Sequence, residues 1–328
     1  MKNTTFIEFI LVFIVFTFFA CSSSNDRQSK TLPEVQNGNN LMESANYFLK
    51  INDFNTALET YNQAFTQFTL VDHLEGKFLA SLGIIKTSIL LGKLDNAQTW
   101  LNKIKMFTKV PDKLLDQVEL SLIEFHFSKK EYEIVKQLTD SPRISESSRS
   151  LYLPLAAYRA QALLTLNLDY SKELKMLLDI VQNFQEDKNS GSYYEPSDIS
   201  YIYYTLGYIR SKEKKWESAN SLFSRSLEIA KQIGDYKSIA DNLFALGLVN
   251  KELGRLDQAL DHFQRSSEIY QILKATSSAE LTEAEMLITK ILMNKNDSES
   301  IQKIMSLLSS TKNDELRDKI QKFLSENW

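Results

Sequence analysis

The chain has 328 residues, 43% of them apolar and 24% charged, yet it holds only 9 glycines and 5 prolines, about 4% together against roughly 12% in average usage. So few turn-formers exclude a β-sandwich or barrel and leave no glycine-rich loop for a nucleotide phosphate. Lysine plus arginine (38) nearly balance aspartate plus glutamate (42), so the charge of −4 points to neither a nucleic-acid surface nor an acidic tail.

At the N-terminus, Lys2 precedes an apolar run from Phe9 to Ala20, which stops at Cys21 and gives way to Ser22, Ser23, Ser24, Asn25 and Asp26. This is the layout of a secretory signal, because about a dozen apolar residues fall short of the roughly 20 that a spanning helix needs. Ala20-Cys21 resembles the lipobox of bacterial lipoproteins, where a small residue precedes the cut and the thiol accepts the diacylglycerol. That resemblance implies lipidation at Cys21 and membrane attachment through the N-terminal lipid. It further implies a place in the bacterial cell envelope, at the outer membrane, with the body on its periplasmic or surface face. An uncleaved anchor and an ordinarily cleaved secreted protein are the alternatives, and all three export the chain. Cys21 is the only cysteine, so no intrachain disulfide can form and stability must come from burial. Residues 1–20 read as the signal peptide and 21–40 as a flexible tether, polar, with Pro33 and Gly38 and no helical period.

Beyond the tether a unit repeats at close to 40 residues. Leu206-Gly207 with Ala219, Phe223 and Ser226 reappears as Leu246-Gly247 with Ala259, Phe263 and Ser266, an offset of 40 throughout. Ala45, Ala57, Tyr61 and Ala64 reappear at the same offset as Ile85, Ala97, Leu101 and Ile104. Small residues twelve positions apart let two helix axes approach, and the aromatic four residues on fills the next hole. Gly92 and Gly254 fall where the hairpin must reverse, with Leu94 and Leu256 following, and Phe54 and Trp216 take that same place in their repeats. Gly234-Asp235 suits the end of one helix and the cap of the next.

These residues resemble the tetratricopeptide repeat in its longer form, with segments 200–233 and 240–273 the best matches and 41–68 and 79–106 the next. Tyr132 with Val135, and Tyr170 with Glu173, hold the corresponding positions of a third and a fourth hairpin. The resemblance implies an all-α, right-handed α-solenoid of about six to seven hairpins with a C-terminal capping helix. The expected layout is hairpins over 41–184, a polar loop over 185–199, further repeats over 200–310 and a cap over 311–328, with helix 314–326 presenting Leu316, Ile320, Phe323 and Leu324 on one stripe. Residues 201–209 are as rich in Tyr and Ile as a strand, but their register with the next repeat predicts a helix.

His73, His126 and His262 are isolated, and neither metal-ligand spacing nor a G-x-S-x-G elbow is present. The reading therefore assigns no catalytic residue, metal or cofactor, and no nucleic acid. What remains is a surface. The resemblance places Tyr201, Tyr204 and Tyr208 of one repeat, and Asp241, Phe244, Leu248 and Lys251 of the next, on the concave groove of the array. Spacings of three and four put the tyrosines on one stripe, where they either face a partner or pack between adjacent repeats. Phe244 and Leu248 stand where the clamp for a chaperone's carboxylate tail needs polar groups, which disfavours that ligand. The expected function is a membrane-anchored envelope scaffold that binds a protein or peptide in this groove. The alternative is an accessory lipoprotein of a solute transport system that binds a small ligand, and an extracytoplasmic sensor is disfavoured because no second membrane segment or output domain precedes Trp328.

Overall fold

A computed structural model of the chain describes residues 32–107, 110, 112–140, 152–186 and 195–327. Cys21, the signal and the start of the tether lie outside the described residues, as does the middle of the polar loop expected over 185–199. The described residues form fifteen helices and no strand: α1 (Pro33–Lys50), α2 (Phe54–Leu70), α3 (Leu74–Leu90), α4 (Leu94–Ile104), α5 (Asp112–Ser128), α6 (Tyr132–Asp140), α7 (Tyr152–Thr165), α8 (Ser171–Glu186), α9 (Pro196–Lys212), α10 (Trp216–Ile233), α11 (Tyr236–Glu252), α12 (Leu256–Ile272), α13 (Thr276–Met293), α14 (Ser298–Ser310) and α15 (Asp314–Asn327). They pair as seven hairpins, α1–α2 through α13–α14, and α15 caps the stack. None of the described helices is long and apolar enough to cross a membrane.

The repeat register carries the core. Ala45, Ala57, Ala64, Ile85, Ala97 and Leu101 are fully buried, as are Leu206, Ala219, Ala259 and Phe263. Each recurring contact serves a physical need. Ser226 Oγ donates to Ser200 O at 2.8 Å, and one repeat later Ser266 Oγ donates to Ala240 O at 2.9 Å, so the second helix satisfies its hydroxyl on the first. Residues 201–209 lie inside α9, where Ile202, Leu206 and Ile209 are buried. On α15, Leu316 and Ile320 are buried, with Phe323 and Leu324 packed beside them.

Six hairpins reverse through one residue of positive φ, and only two of those are glycine: Asn52, Gly92, Lys130, Asn167, Lys214 and Gly254. At each turn the next residue's N–H reaches back to the carbonyl five residues earlier, as in Asp53 to Phe48 (2.9 Å) and Arg255 to Asn250 (2.8 Å). Gly234 ends α10 in the left-handed conformation, and Asp235 caps α11 by accepting from Ser238 N at 3.1 Å.

Two segment boundaries differ from expectation. Helix α1 begins at Pro33, so the later part of the expected tether is helical; proline suits the first helical position, and Gly38 is buried against the Phe68 ring as a core residue rather than a breaker. The polar loop is shorter at both ends, because Gln185 and Glu186 finish α8 and Pro196 opens α9.

Candidate binding surface

The backbones of the first helices of successive hairpins lie against one another, α1 with α3, α3 with α5 and on to α13 with α15, whereas the backbones of the second helices stand farther apart, α2 and α4 meeting through the rings of Phe65 and Trp100 at 4.8 Å. The first helices therefore form the inner wall of the superhelix and the second helices its outer wall. That inner wall holds two adjoining cavities, which share Asn46, Leu49 and Lys86.

The larger cavity, about 830 Å³, lies across α1, α3 and α5. Its lining repeats one pattern three times: Asn39, Met42 and Asn46 on α1; Leu79, Leu82 and Lys86 on α3; Gln117, Leu120 and Glu124 on α5. Each set has spacings of three and four, which align side chains on one helical stripe. The first set is the counterpart of Tyr201, Tyr204 and Tyr208, and the second of Asp241, Phe244 and Leu248, at a constant offset of 162 residues. The Tyr61 hydroxyl donates to Asn46 Oδ1 at 2.6 Å and fixes that carboxamide from behind, and burial pushes the Tyr61 phenol up to about 12. The wall is thus a mixture of carboxamides, leucines and single charges, suited to an extended chain: amides for its backbone and apolar faces for its side chains.

The second cavity, about 660 Å³, lies where α1 and α3 face α7, α9 and α11 across the superhelix. Tyr158, Tyr201, Lys50, Asn52, Lys86, Lys237 and Asp241 are among its lining residues. Lys237 pairs with Asp241 at 2.7 Å, and that carboxylate holds the lysine above its ordinary value although its surroundings disfavour charge. Burial, helped by Glu195 and opposed by Lys86, pushes Asp198 up to about 6. Glu124 is also raised by burial, against the pull of Lys86 and of the Tyr158 hydroxyl. One lysine thus faces two carboxylates, from α5 and α9, that both ionise reluctantly.

The expected groove residues divide. Tyr201 lines the second cavity, its hydroxyl accepting from Gln161 Nε2 at 3.1 Å and its ring 5.4 Å from that of Tyr158 in the preceding hairpin. Tyr204 packs edge-on against Phe223 at 5.3 Å, and burial raises its hydroxyl far above the ordinary range. Tyr208 packs on the same core cluster with Lys212 over its ring. Asp241 accepts from the Tyr270 hydroxyl at 2.6 Å, and Phe244 packs on Phe263 at 5.7 Å. Leu248 is half-buried. Lys251 reaches the buried carboxylate of Glu285 at 2.5 Å and is spent on that pair. Asn46, Lys50, Asn52, Lys86 and Glu124 were not singled out from the sequence. The repeat register does mark Asn46, Lys86 and Glu124, by the stripe they share with the tyrosines. Lys50 and Asn52 carry no comparable signal. Among the described residues, no three His, Cys, Asp or Glu side chains gather to hold a metal ion.

The comparisons with known proteins agree with this architecture. The family model described as tetratricopeptide repeat matches residues 198–272. A search of curated proteins gives no match. The structure is similar to the crystal structure of a Rap protein complexed with competence and sporulation factor, with a TM-score of 0.58, 14% identity and coverage of 89% of this chain and 80% of that one. It is also similar to the apo form of RapI, with a TM-score of 0.50, 13% identity and coverage of 86% and 79%. A third similar structure is a signal transduction ATPase with numerous domains, bearing a tetratricopeptide repeat sensor, from Pyrococcus horikoshii, with a TM-score of 0.57 and 13% identity. There 92% of this chain is matched but only 50% of the ATPase, so the chain spans about half of that protein's length. The fold is an all-α solenoid of tetratricopeptide-like hairpins.

Proposed function

We propose that the protein is a binding scaffold that takes a protein or an extended peptide on the inner wall of its hairpins, and that lipidation of Cys21 holds it at the bacterial envelope. The observation that carries the binding half is the stripe repeated on α1, α3 and α5, where three first helices present residues at the same spacing, with carboxamide, apolar and charged side chains among them, to one cavity. The Rap protein of the comparison is complexed with competence and sporulation factor, and a partner held by a similar fold supports the reading. The mechanism is display rather than chemistry: a preformed concave wall spends little ordering entropy, so contacts to an extended ligand convert efficiently into affinity.

The test is affinity capture from envelope extract by the full chain and by a Leu79→Arg variant, followed by titration of whatever partner is identified. Leu79 is half-buried and lines the cavity, so the arginine blocks the groove with little cost to the core. At least tenfold weaker binding by the variant is expected, and equal binding would move recognition elsewhere. For the anchor, Cys21→Ser should abolish fatty-acid labelling and release the protein from the membrane fraction, and continued labelling would remove that half of the proposal.

The second cavity favours one further reading. At about 660 Å³ it is the size of a small-molecule site, so an accessory lipoprotein of a solute transport system, binding a small ligand, is the alternative. Failure of both versions to capture any protein would favour it.

A further inference from the structure

The helices of the first hairpins run antiparallel, so the start of α1, the end of α2, the start of α3, the end of α4 and the start of α5 fall on one edge of the array. Packing ties these ends together. The Phe68 ring, near the end of α2, lies against Gly38 of α1 and Gly76 of α3, and Phe107, just past α4, meets Phe78 of α3 edge-on at 5.7 Å. On that base each of the five helix ends carries one large apolar side chain left in solvent: Leu32, Leu70, Leu74, Met106 and Leu115, with Leu70 68% and Met106 80% exposed. Single exposed apolar residues are ordinary, but five at successive helix ends of one edge form a patch of the kind that marks a contact surface. Lys103 and Lys105 stand beside Met106, both exposed and neither with an ion-pair partner among the described residues, the ammonium of Lys103 lying 4.3 Å from the centre of the Trp100 ring. From Met106 to Leu115 the sequence adds Lys109 and Lys113 against Asp112 alone. The other carboxylates of this edge stand at the starts of α1 and α3: Glu34 is half-buried, Asp72 is paired with Lys77 at 2.5 Å, and Glu75 lines the larger cavity.

We infer that this edge lies on a lipid surface, with Leu32, Leu70, Leu74, Met106 and Leu115 entering the boundary between headgroups and acyl chains and Lys103 and Lys105 meeting anionic headgroups. The chain from Cys21 joins α1 at this edge, and the eleven residues between Cys21 and Leu32 and its own position reach at most about 40 Å when fully extended. Lipid on Cys21 therefore brings this edge to the bilayer first, since the opposite edge stands farther off by the roughly 25 Å length of a 17-residue helix. Apolar tips beside unpaired lysines are what interfacial binding uses, and each lysine near an anionic leaflet contributes about fivefold in affinity. The contact would fix which edge of the scaffold faces the membrane. The inference rests on the reading that Cys21 anchors the chain and adds the surface on which the body sits.

The single cysteine of the chain makes a site-specific test direct. The full chain with Cys21→Ser and either Met106→Cys or Tyr47→Cys is labelled with an environment-sensitive fluorophore and mixed with vesicles of phosphatidylethanolamine and phosphatidylglycerol. Tyr47 is 59% exposed in the last turn of α1, at the opposite edge, so it is an apolar control of similar exposure. A saturable blue shift is expected at Met106 and none at Tyr47, with vesicle affinity falling at least threefold in a Lys103→Gln, Lys105→Gln double variant. The substituted side chains are exposed, so the core is kept, and an unchanged thermal transition verifies that. The apolar run Phe9–Ala20 is common to both labelled chains, so its own partitioning gives no difference between the two sites. No shift at Met106, an equal shift at both sites, or undiminished affinity of the double variant overturns the inference, the first of these leaving the edge to a protein partner. None of these measurements uses lipid on Cys21, so the anchor reading stands or falls separately by fatty-acid labelling.

Discussion

The ring of Phe263 occupies the space above Gly247, so closely that a Cβ on the glycine would stand 2.5 Å from Cε1 of the phenylalanine. One repeat earlier Phe223 sits on Gly207 in the same way, with the added carbon 2.8 Å from Cδ1. The two helices of each hairpin are held at the distance that this pair sets. Gly247→Ala should therefore destabilise the protein by about 1–3 kcal/mol through overpacking. Urea unfolding midpoints of the variant and the parent measure it. Indifference to the methyl group would mean that the hairpin can open without loss.

Glu285 is fully buried on α13 and receives two lysines, Lys251 from α11 and Lys319 from the capping helix α15. Burial alone would raise this carboxyl, but the two ammonium groups outweigh it and hold the group below its ordinary 4.5. A depressed carboxyl gives stability that is present above the unfolded value and lost as pH falls through the folded one. The C-terminal repeats should accordingly loosen below about pH 4.5. Glu285→Gln should cost about 3–5 kcal/mol at neutral pH by leaving two cations uncompensated. Amide exchange on α13 and α15, followed against pH, reads both effects.

Asp198 has the opposite sign. Its carboxyl is raised from 3.8 to about 6, so the folded state holds a proton that the unfolded chain has released, and stability falls as pH rises between those values. Asp198→Asn should raise the thermal transition at pH 7, by about 1 kcal/mol after discounting for partial exposure, and leave it unchanged near pH 4. An equal shift at both pH values would mean that the effect comes from packing instead of ionisation.

Much of the architecture is legible in the sequence because the repeat is dictated by steric needs that small residues and aromatics meet visibly. The offset of 40 predicts which alanines and serines are buried, and Gly92, Gly234 and Gly254 mark their left-handed turns. The other turns are not legible, because Lys130 and Lys214 adopt positive φ with no sequence signal, held there by the backbone hydrogen bonds of the turn. Gly38 misleads in the other direction: it reads as a tether residue, yet it makes room for Phe68. The surface is legible in register but not in place. Spacings of three and four align the tyrosines of α9 on one stripe, but Tyr204 and Tyr208 pack on a core cluster, and the larger cavity lies over the same stripe on α1, α3 and α5, where the residues are Asn, Met, Leu, Lys, Gln and Glu. The second cavity needs the superhelix itself, since Asn52 and Tyr201 meet only when distant hairpins face one another.

One long-range contact should matter little. Lys130, in the turn of the third hairpin, reaches Glu315 of the capping helix at 2.5 Å, but their side chains are 62% and 78% exposed. Exposed pairs contribute about 0–1 kcal/mol and weaken with salt. Glu315→Gln should shift the unfolding midpoint by less than about 0.5 kcal/mol, and a larger loss would assign this pair a role in closing the superhelix.

Binding on the inner wall is read by site-specific photocross-linking in intact cells, with a benzophenone side chain placed at Met42 or Leu79 on the inner wall, or at Met176 or Gln264 on the second helices outside. A discrete cross-linked partner or ligand adduct is expected from the inner positions and none from the outer ones. The same adduct from Met176 or Gln264, with nothing from Met42 or Leu79, would contradict it.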